Sequence, residues 1–341
     1  MTPHELGYSM PAEWERHDAT WLAWPKNPLT FPPEVIKKVE SAFAEMVRAL
    51  APGEAVHVLV DDATAEERVK AMVSSGNVVF HLVPTADVWV RDYGPIFVTD
   101  GKKVAATKWT FNAWGGKYDD LLADDVVGRT IASLTGLQAF EAGIVLEGGS
   151  IDVNGRGTCL TTTQCLLNRN RNPRLDKHKL EKHLLDNLGV RRVVWLGRGI
   201  AGDDTDGHVD DIARFVDRAK VVCMAEDDRH NENHKPLKEN LDILTRWQGP
   251  DGERLDVVQV SMPDIVESEG PLPASYANFY IGNSAVLLPV FGCRNDDKAI
   301  EAVSGLFKGR KVVPIDCTGL VYGFGAIHCV TQQQPAPLAP G

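Results

Sequence analysis

The chain has 341 residues, of which 43% are hydrophobic and 24% are charged, and its formal net charge is −11. An acidic chain repels nucleic acid and anionic membranes and favours cationic ligands, so we expect no nucleic-acid partner and no membrane contact. No window holds the ~20 apolar residues of a membrane helix, and the N-terminus lacks a signal-peptide pattern, so we expect a cytoplasmic location. The six cysteines include no C-x-x-C pair, which argues against a disulfide framework or a zinc knuckle.

Helix-like segments recur along the chain at nearly constant spacing. They begin near Ala63, Asp119, Asp176, Glu232 and Asp296, so successive starts are 56, 57, 56 and 64 residues apart. Each segment has apolar residues at helical period and acids near its start. An additional helix is predicted for PPEVIKKVESAFAEMVRAL, with proline in its first turn.

A short apolar strand follows each repeated helix: VVFHLVP, GIVLEGG, RRVVWLG, DVVQVSMP and KVVPIDC. In the first four units a pair of strands comes next, and the first two pairs turn at a D-G or N-G signal. The fifth unit has no pair of its own, so we expect its partners to come from N-terminal strands near EAVHVLV. The pattern predicts one α/β domain over residues 1–341, with five units around a common axis and a poorly ordered tail at 336–341.

Unusual polar residues follow these strands at equivalent places. In a ring of five units the strand ends converge at one mouth, which would bring together Asp92, Glu147, His208, Asp210 and Cys329. Taken singly, each has a structural alternative, such as a core cysteine, a structural histidine or a turn carboxylate. The G-x-G-x-x-G match at residues 197–202 precedes no helix, so we expect no dinucleotide site.

Taken together, the five residues suit hydrolysis of a guanidine. Asp92 and Asp210 can each bind one edge of a planar guanidinium ion through paired hydrogen bonds. A Cys329 thiolate can attack the central carbon, while His208 protonates the departing nitrogen and then deprotonates water. We expect neither a metal nor a cofactor.

Several long blocks of the sequence resemble the agmatine deiminase family, which is related to the bacterial peptidylarginine deiminases. These blocks are MPAEWERHDATWLAWP, VWVRDYGPIFV, KWTFNAWGGKY, LEGGSIDVNGRGT, GDDTDGHVDDIARFV, SYANFYIGNSAVLLPVFG and AIHCVTQQQP, and they span Met10 to Pro335. The resemblance implies the pentein fold, a five-bladed α/β propeller. It also implies hydrolysis of agmatine to N-carbamoylputrescine and ammonia, a step towards putrescine.

The resemblance further implies roles for individual residues. Cys329 of AIHC would be the nucleophile, and His208 of DGHVD would be the acid/base residue. The other implied positions are two guanidinium-binding carboxylates, an acidic residue beside the site and an aromatic lining residue: Asp92, Asp210, Glu147 and Trp89.

The choice of agmatine depends on the residues expected at the distal end of the substrate. An arginine substrate needs a basic residue for its carboxylate, whereas FNAWGGKYDD offers Trp114 and only Lys117 as a base. Asp203, Asp204 and Asp206 are candidates for binding the agmatine amine. Of these, Asp204 is predicted to contact the substrate, together with Trp114 and with Asn278 from the fourth strand end.

Two other functions stay open. RDYGP also occurs in the peptidylarginine branch, so a deiminase of peptidyl or free arginine is the first alternative. The second is a catalytically silent propeller that binds a polyamine-type cation, although such a binder needs no Cys and His at its strand ends. A homodimer or a higher homo-oligomer is also compatible with the sequence.

Overall fold

The computed structural model describes residues 1–73, 76–250, 252–264 and 270–337. Helices and strands are mixed along the chain, as the repeat pattern predicts. The strands are β1 (His17–Ala23), β2 (Ala55–Val60), β3 (Val78–Leu82), β4 (Ile96–Thr99), β5 (Val104–Thr110), β6 (Gln138–Val145), β7 (Ile151–Val153), β8 (Thr158–Thr162), β9 (Arg192–Leu196), β10 (Ala213–Asp217), β11 (Lys220–Ala225), β12 (Asp256–Ser261), β13 (Tyr280–Ile281), β14 (Ala285–Val290), β15 (Lys311–Asp316) and β16 (Gln332–Pro335).

The helices separate these strands and vary in length from one turn to four. None within the described ranges is both long and apolar enough to cross a membrane. They are α1 (Ile36–Leu50), α2 (Ala63–Val73), α3 (Val90–Tyr93), α4 (Ala113–Gly116), α5 (Val127–Thr135), α6 (Thr163–Leu166), α7 (Lys177–Leu188), α8 (His234–Arg246) and α9 (Asp296–Leu306).

The described strands form five separate sheets. Four sheets share one pattern, in which two antiparallel strands are followed by a helix and by a third strand parallel to the second. In sheet β7-β8-β9, Ile151 pairs antiparallel with Thr161, and Thr158 pairs parallel with Arg192. A parallel pair needs a long crossover, and α7 lies within the connection here. The predicted strand pairs are confirmed in all four sheets.

The fifth sheet joins the two ends of the chain in the order β16-β1-β2-β3. The predicted contribution of EAVHVLV is confirmed, because this segment forms β2. Strand β16 pairs with β1, where Trp21 is opposite Gln332, and the sequence analysis had not identified either of these strands. Of the tail, the Ala336 amide donates to the Arg16 carbonyl, whereas residues 338–341 lie outside the described residues.

Local signals explain where the longer helices begin and end. The Asp176 carboxylate accepts the Lys179 amide at the start of α7, and Gly189 ends this helix in the left-handed conformation that glycine adopts readily. Helix α1 begins at Ile36, so the predicted prolines lie in a preceding turn instead of in the helix. The Ile36 amide donates to the Pro32 carbonyl at 3.0 Å, so this turn leads directly into the helix.

Helix α1 also shows how an amphipathic pattern builds the core. One face is buried, including Val39, Phe43, Met46, Val47 and Leu50, whereas polar residues occupy the other face. Burying each of these side chains contributes roughly 1.5–3 kcal/mol before the entropy cost. The tertiary contacts of this face therefore hold the helix against the terminal sheet and β14–β15.

Four of the strands that follow the repeated helices are themselves followed by a short helical turn. These turns are α3 after β3, Gly148–Ser150 after β6, Val209–Asp211 after β9 and Leu320–Gly323 after β15. Asp92 lies within the first of these turns and Asp210 within the third, Glu147 directly precedes the second, and Cys329 follows the fourth by six residues. The fold therefore places the polar residues at equivalent positions of the repeat, as the sequence analysis predicts.

Candidate active site

A cavity of about 220 Å³ lies beside two of these turns, α3 and Leu320–Gly323. Its wall combines aromatic side chains with aspartates and one cysteine, and it draws on segments far apart in the sequence. The lining residues are Leu29, Thr30, Trp89, Asp92, Trp114, Tyr118, Asp120, Leu121, Asp204, Thr205, Tyr322, Gly323, Phe324 and Cys329.

Cys329 occupies a turn before β16, and its side chain is almost fully buried in the cavity wall. Its Sγ atom lies 3.2 Å from Asn278 Nδ2 and 3.8 Å from Asp210 Oδ2. Burial raises the pKa of the Cys329 thiol well above its ordinary value, and the nearby charges of Asp210, Asp211 and Asp92 raise it further. The free protein therefore holds a protonated thiol, and a cation bound among these carboxylates would favour the thiolate.

His208 is buried beside the carboxylates, with Nδ1 3.9 Å from Asp92 Oδ1. Neither ring nitrogen has a hydrogen-bond partner among the described residues. Burial alone would lower the pKa of His208, but Asp92, Cys165 and Asp210 outweigh it and hold this pKa well above its ordinary value. The imidazolium is therefore the favoured form, and it can act as a proton donor.

The two predicted guanidinium-binding carboxylates are held differently. Asp92 Oδ1 accepts the Gly149 amide, and Oδ2 accepts Trp114 Nε1, each at 2.9 Å. Asp210 Oδ2 is 2.7 Å from His328 Nδ1, while Oδ1 has no partner among the described residues. Burial raises the pKa of Asp92, whereas for Asp210 the same effect is outweighed by His328, which lowers the pKa.

Gly149 gives these three groups the room to converge. A Cβ atom at this position would lie 2.6 Å from His208 Nδ1, 3.0 Å from Asp210 Oδ2 and 3.1 Å from Asp92 Oδ1. The second glycine of the LEGG block is therefore a steric requirement of the site. Because real Cβ atoms essentially never approach other atoms as closely as 2.6 Å, even alanine would displace the imidazole.

Glu147 lies on the other side of His208 and is fully buried. Its Oε1 accepts Arg171 Nε at 2.8 Å, and ligand atoms of Glu147, Cys165 and His208 lie within 4.8 Å of one another. This spacing could hold a metal ion, although the Arg171 guanidinium opposes a second cation there. The prediction that no metal is needed stays a prediction.

The predicted substrate-binding residues fall into two groups. Trp89, Trp114 and Asp204 line the cavity, and the two indole rings meet edge to face at 6.4 Å between centroids. Asn278 lies behind the nucleophile instead, where its amide nitrogen contacts Cys329 Sγ and Asp211 Oδ1. Asn278 is thus placed to orient the thiol.

The three aspartates proposed for the amine end have different partners. Asp203 accepts the backbone amides of Thr205 and Gly207, so it organises its own loop. Asp206 pairs with Lys117 and Arg171. Asp204 faces the cavity and accepts the Tyr118 hydroxyl at 2.5 Å.

Several residues around the site were not identified from the sequence. They are the buried polar residues that support the predicted groups from distant segments, together with a cavity-lining tyrosine: Glu13, Arg91, Tyr118, Cys165, Arg171, Asp211, Arg214 and His328. The available signal was their position inside apolar or motif-dense blocks, as for Glu13 in MPAEWE and His328 in AIHC.

Comparison with known proteins finds relatives that match this chain over nearly its whole length. An agmatine deiminase of Ectopseudomonas mendocina is 36% identical and covers 98% of each chain. The structure of the agmatine deiminase of Enterococcus faecalis, described as catalysing its reaction, superposes with a TM-score of 0.92 at 33% identity, over 98% of this chain and 97% of that one. The structure of a cysteine-to-serine variant of the C. jejuni agmatine deiminase with substrate bound superposes with a TM-score of 0.89 at 28% identity, over 97% of this chain and 97% of that one.

The family relationship covers nearly the whole chain and includes every residue of the candidate site. The profile of one deiminase family matches residues 9–335, a span that contains all five sheets and the cavity. The chain therefore belongs to the Porphyromonas-type peptidyl-arginine deiminase family.

Proposed function

We propose that the protein hydrolyses agmatine to N-carbamoylputrescine and ammonia. The observation that carries this proposal is that Cys329 and Asp92 line one small cavity, while Asp210 Oδ2 lies 3.8 Å from the Cys329 thiol and His208 Nδ1 lies 3.9 Å from Asp92 Oδ1. These are the groups that a thiol-dependent attack on a guanidinium carbon requires. The names of the relatives support the same reaction, and the product would be a precursor of putrescine.

The proposed reaction begins with the guanidinium ion bound between Asp92 and Asp210. Its charge offsets the carboxylates that raise the pKa of Cys329, so the thiol loses its proton to solvent and the resulting thiolate attacks the guanidinium carbon. His208 gives a proton to one nitrogen of the tetrahedral adduct, and the C–N bond breaks to release ammonia.

The second half of the reaction removes the substrate from the enzyme. A thiouronium group then links Cys329 to the substrate carbon. His208, now neutral, takes a proton from water while the oxygen bonds to this carbon. The C–S bond breaks, the hydroxyl proton of the adduct passes to solvent, and the urea-type product leaves with the thiolate restored. In this scheme Glu147 is the acidic residue beside His208, and Trp89 and Trp114 cover the methylene chain.

Three aspartates support a substrate with a distal amine. Asp92, Asp120 and Asp204 line the cavity, and no arginine or lysine appears among the described lining residues. A substrate carboxylate would therefore find no cationic partner in this wall. Asp204, with Tyr118 beside it, is the acid proposed to bind the amine.

Asp204→Asn should raise the KM for agmatine about 10–100-fold, because a charge-assisted hydrogen bond to the amine is lost. Burial raises the pKa of Asp204 to about 6. As the pH falls through this value the carboxylate loses its charge, so the wild-type KM should rise below pH ~6, and this change should be absent from the variant. Steady-state kinetics would measure both effects.

Asp119→Asn, at an exposed position outside the cavity lining, is the matched control and should keep the wild-type KM. An unchanged KM in the Asp204 variant would mean that the amine is bound by another group.

Gly149→Ala should reduce kcat/KM for agmatine by about 100-fold, because the added methyl group displaces His208 or the adjoining carboxylates. Gly305→Ala provides the control, since a Cβ atom on Gly305 meets nothing within 4 Å. Steady-state kinetics would compare the activities of the two variants, and thermal unfolding would compare their stabilities. Equal activity in the two variants would remove the steric argument.

The assay that tests the proposed function compares ammonia release from agmatine, free arginine and a blocked arginine peptide. We expect release mainly from agmatine. The family description favours peptidyl arginine as the second candidate, and release mainly from either arginine compound would select that alternative. No release from any of them would leave the cation-binding alternative.

We further propose that residues 1–341 form one domain in which the five sheets surround the cavity as a five-bladed propeller. The support is the shared strand order of four sheets and the closure of the fifth by both chain ends. A homodimer or higher homo-oligomer, a cytoplasmic location and independence from cofactors stay predictions. Light scattering after size-exclusion chromatography would test the oligomeric state.

A further inference from the structure

A buried chain of three ionisable side chains connects the N-terminal segment to the cavity. His328 lies between two carboxylates, with Nδ1 2.7 Å from Asp210 Oδ2 and Nε2 2.8 Å from Glu13 Oε2. All three residues are at least nine-tenths buried. Both ring nitrogens face carboxylate oxygens, which accept but do not donate when ionised, so this arrangement suits an imidazolium ion.

Glu13 is itself fixed from several directions. Its Oε1 accepts Arg214 Nη2 at 2.8 Å and the Ile281 amide at 2.9 Å. Its Oε2 accepts from His328 and lies 3.4 Å from Arg91 Nη2. The two arginines and the imidazolium outweigh burial and hold the pKa of Glu13 well below its ordinary value. Glu13 is therefore an immobile anion against which the His328 ring is oriented.

The Asp210 end of the chain faces the reacting groups. Because Oδ2 is bound by His328, the carboxylate is held with Oδ1, its oxygen without a described partner, available for another donor. Cys329 Sγ lies 3.8 Å from the same carboxylate. Among the described residues, Asp92 accepts hydrogen bonds from the neutral donors Gly149 and Trp114, and the His208 ring lies 3.9 Å away. The two carboxylates are therefore not equivalent, since Asp210 is in direct hydrogen-bond contact with an ionisable ring and Asp92 is not.

We propose that His328, oriented by Glu13, is a positioning residue that holds Asp210 in the ionised and correctly rotated form needed to bind the guanidinium group. This inference rests on the proposed function. It assigns the histidine directly before the nucleophile to substrate binding through Asp210, separately from the proton transfer assigned to His208.

The test compares two amides that each replace half of the imidazole. In asparagine the amide nitrogen is as many bonds from Cβ as Nδ1 is, so His328→Asn retains a donor to Asp210. In glutamine it corresponds to Nε2, so His328→Gln retains a donor towards Glu13 and leaves Asp210 Oδ2 without one. Both variants lose the charge of the ring, which makes them matched controls for each other.

We expect His328→Gln to raise the KM for agmatine and to reduce kcat/KM about 10–100-fold more than His328→Asn does, which is the effect of losing a hydrogen bond to a charged group. Thermal unfolding of the two variants should be similar. The proposal would be overturned if the two variants lost the same factor in kcat/KM. It would also be overturned if the variant with the larger loss in kcat/KM were the one with the lower melting temperature, because His328 would then have only a structural role.

A second variant keeps the test decisive if His328→Gln does not fold. Glu13→Gln removes the anion but leaves an amide oxygen facing Nε2, and should raise the KM for agmatine with a smaller change in kcat. A wild-type KM would contradict the orienting role of Glu13. Failure of the wild-type protein to release ammonia from agmatine would instead overturn the proposed function, so the two failures are distinguishable.

Discussion

Cys329→Ser should abolish turnover of agmatine while leaving its binding largely intact. A serine hydroxyl ionises far less readily than a thiol, and the carboxylates that already raise the pKa of Cys329 would oppose an alkoxide still more. We expect a loss of at least ~10⁴-fold in kcat, as for removal of other enzyme nucleophiles. Ammonia release would measure the rate, and titration calorimetry would measure binding.

The control for this substitution is Cys293→Ser. Cys293 is a partly buried cysteine whose thiol contacts Tyr276 and Asp296, away from the cavity lining. Its replacement should leave kcat unchanged. Loss of agmatine binding together with activity in the Cys329 variant would indicate a collapsed pocket instead of a lost nucleophile.

His208→Gln should reduce kcat by about 10³-fold, within the range typical of general acid–base residues. Glutamine approximates the length of the side chain but can neither protonate the leaving nitrogen nor accept a proton from water. Because the environment holds the pKa of His208 well above its ordinary value, the wild-type residue is charged when the free protein meets its substrate at neutral pH.

The control here is His230→Gln, since His230 is exposed. This variant should retain wild-type kcat. Recovery of the His208 variant on addition of a divalent metal would contradict the acid–base role, because it would replace proton transfer by metal chemistry.

Most of the fold prediction was based on the repeat pattern of helices and strands. Helices recur at a spacing close to 56 residues, and strands at equivalent places follow them, because each unit must bury the same kind of apolar face. This made the convergence of Asp92, His208, Asp210 and Cys329 predictable before any contact was known. The resemblance then supplied their roles.

The supporting residues could not be predicted in the same way. Glu13 and His328 are 315 residues apart, and their contact depends on the final packing of the terminal sheet. The block MPAEWE draws attention to Glu13 but does not show that its carboxylate is buried, since burial of a carboxylate depends on partners such as Arg91 and Arg214 elsewhere in the chain. Asn278 is predicted to contact the substrate, and its amide nitrogen also contacts the Cys329 thiol, which the residue pattern did not indicate.

Phe324 marks a further limit of sequence reasoning. It lines the cavity in left-handed backbone, with φ 65°, and remains 39% exposed. A bulky residue in this conformation is uncommon, and periodicity alone does not reveal backbone of this kind. Its position beside Gly325, which packs on Trp89 and Cys329, places an apolar side chain at the rim of the substrate cavity.

The covalent intermediate offers the most direct test of the central claim. Wild-type protein mixed with agmatine, quenched with acid during turnover and analysed by intact mass should show a gain equal to agmatine less one ammonia. Peptide mapping should place this gain on Cys329, and the Cys329→Ser variant should not acquire it. Rapid ammonia release with no such adduct at any quench time, or an adduct on another cysteine, would contradict Cys329 as the nucleophile.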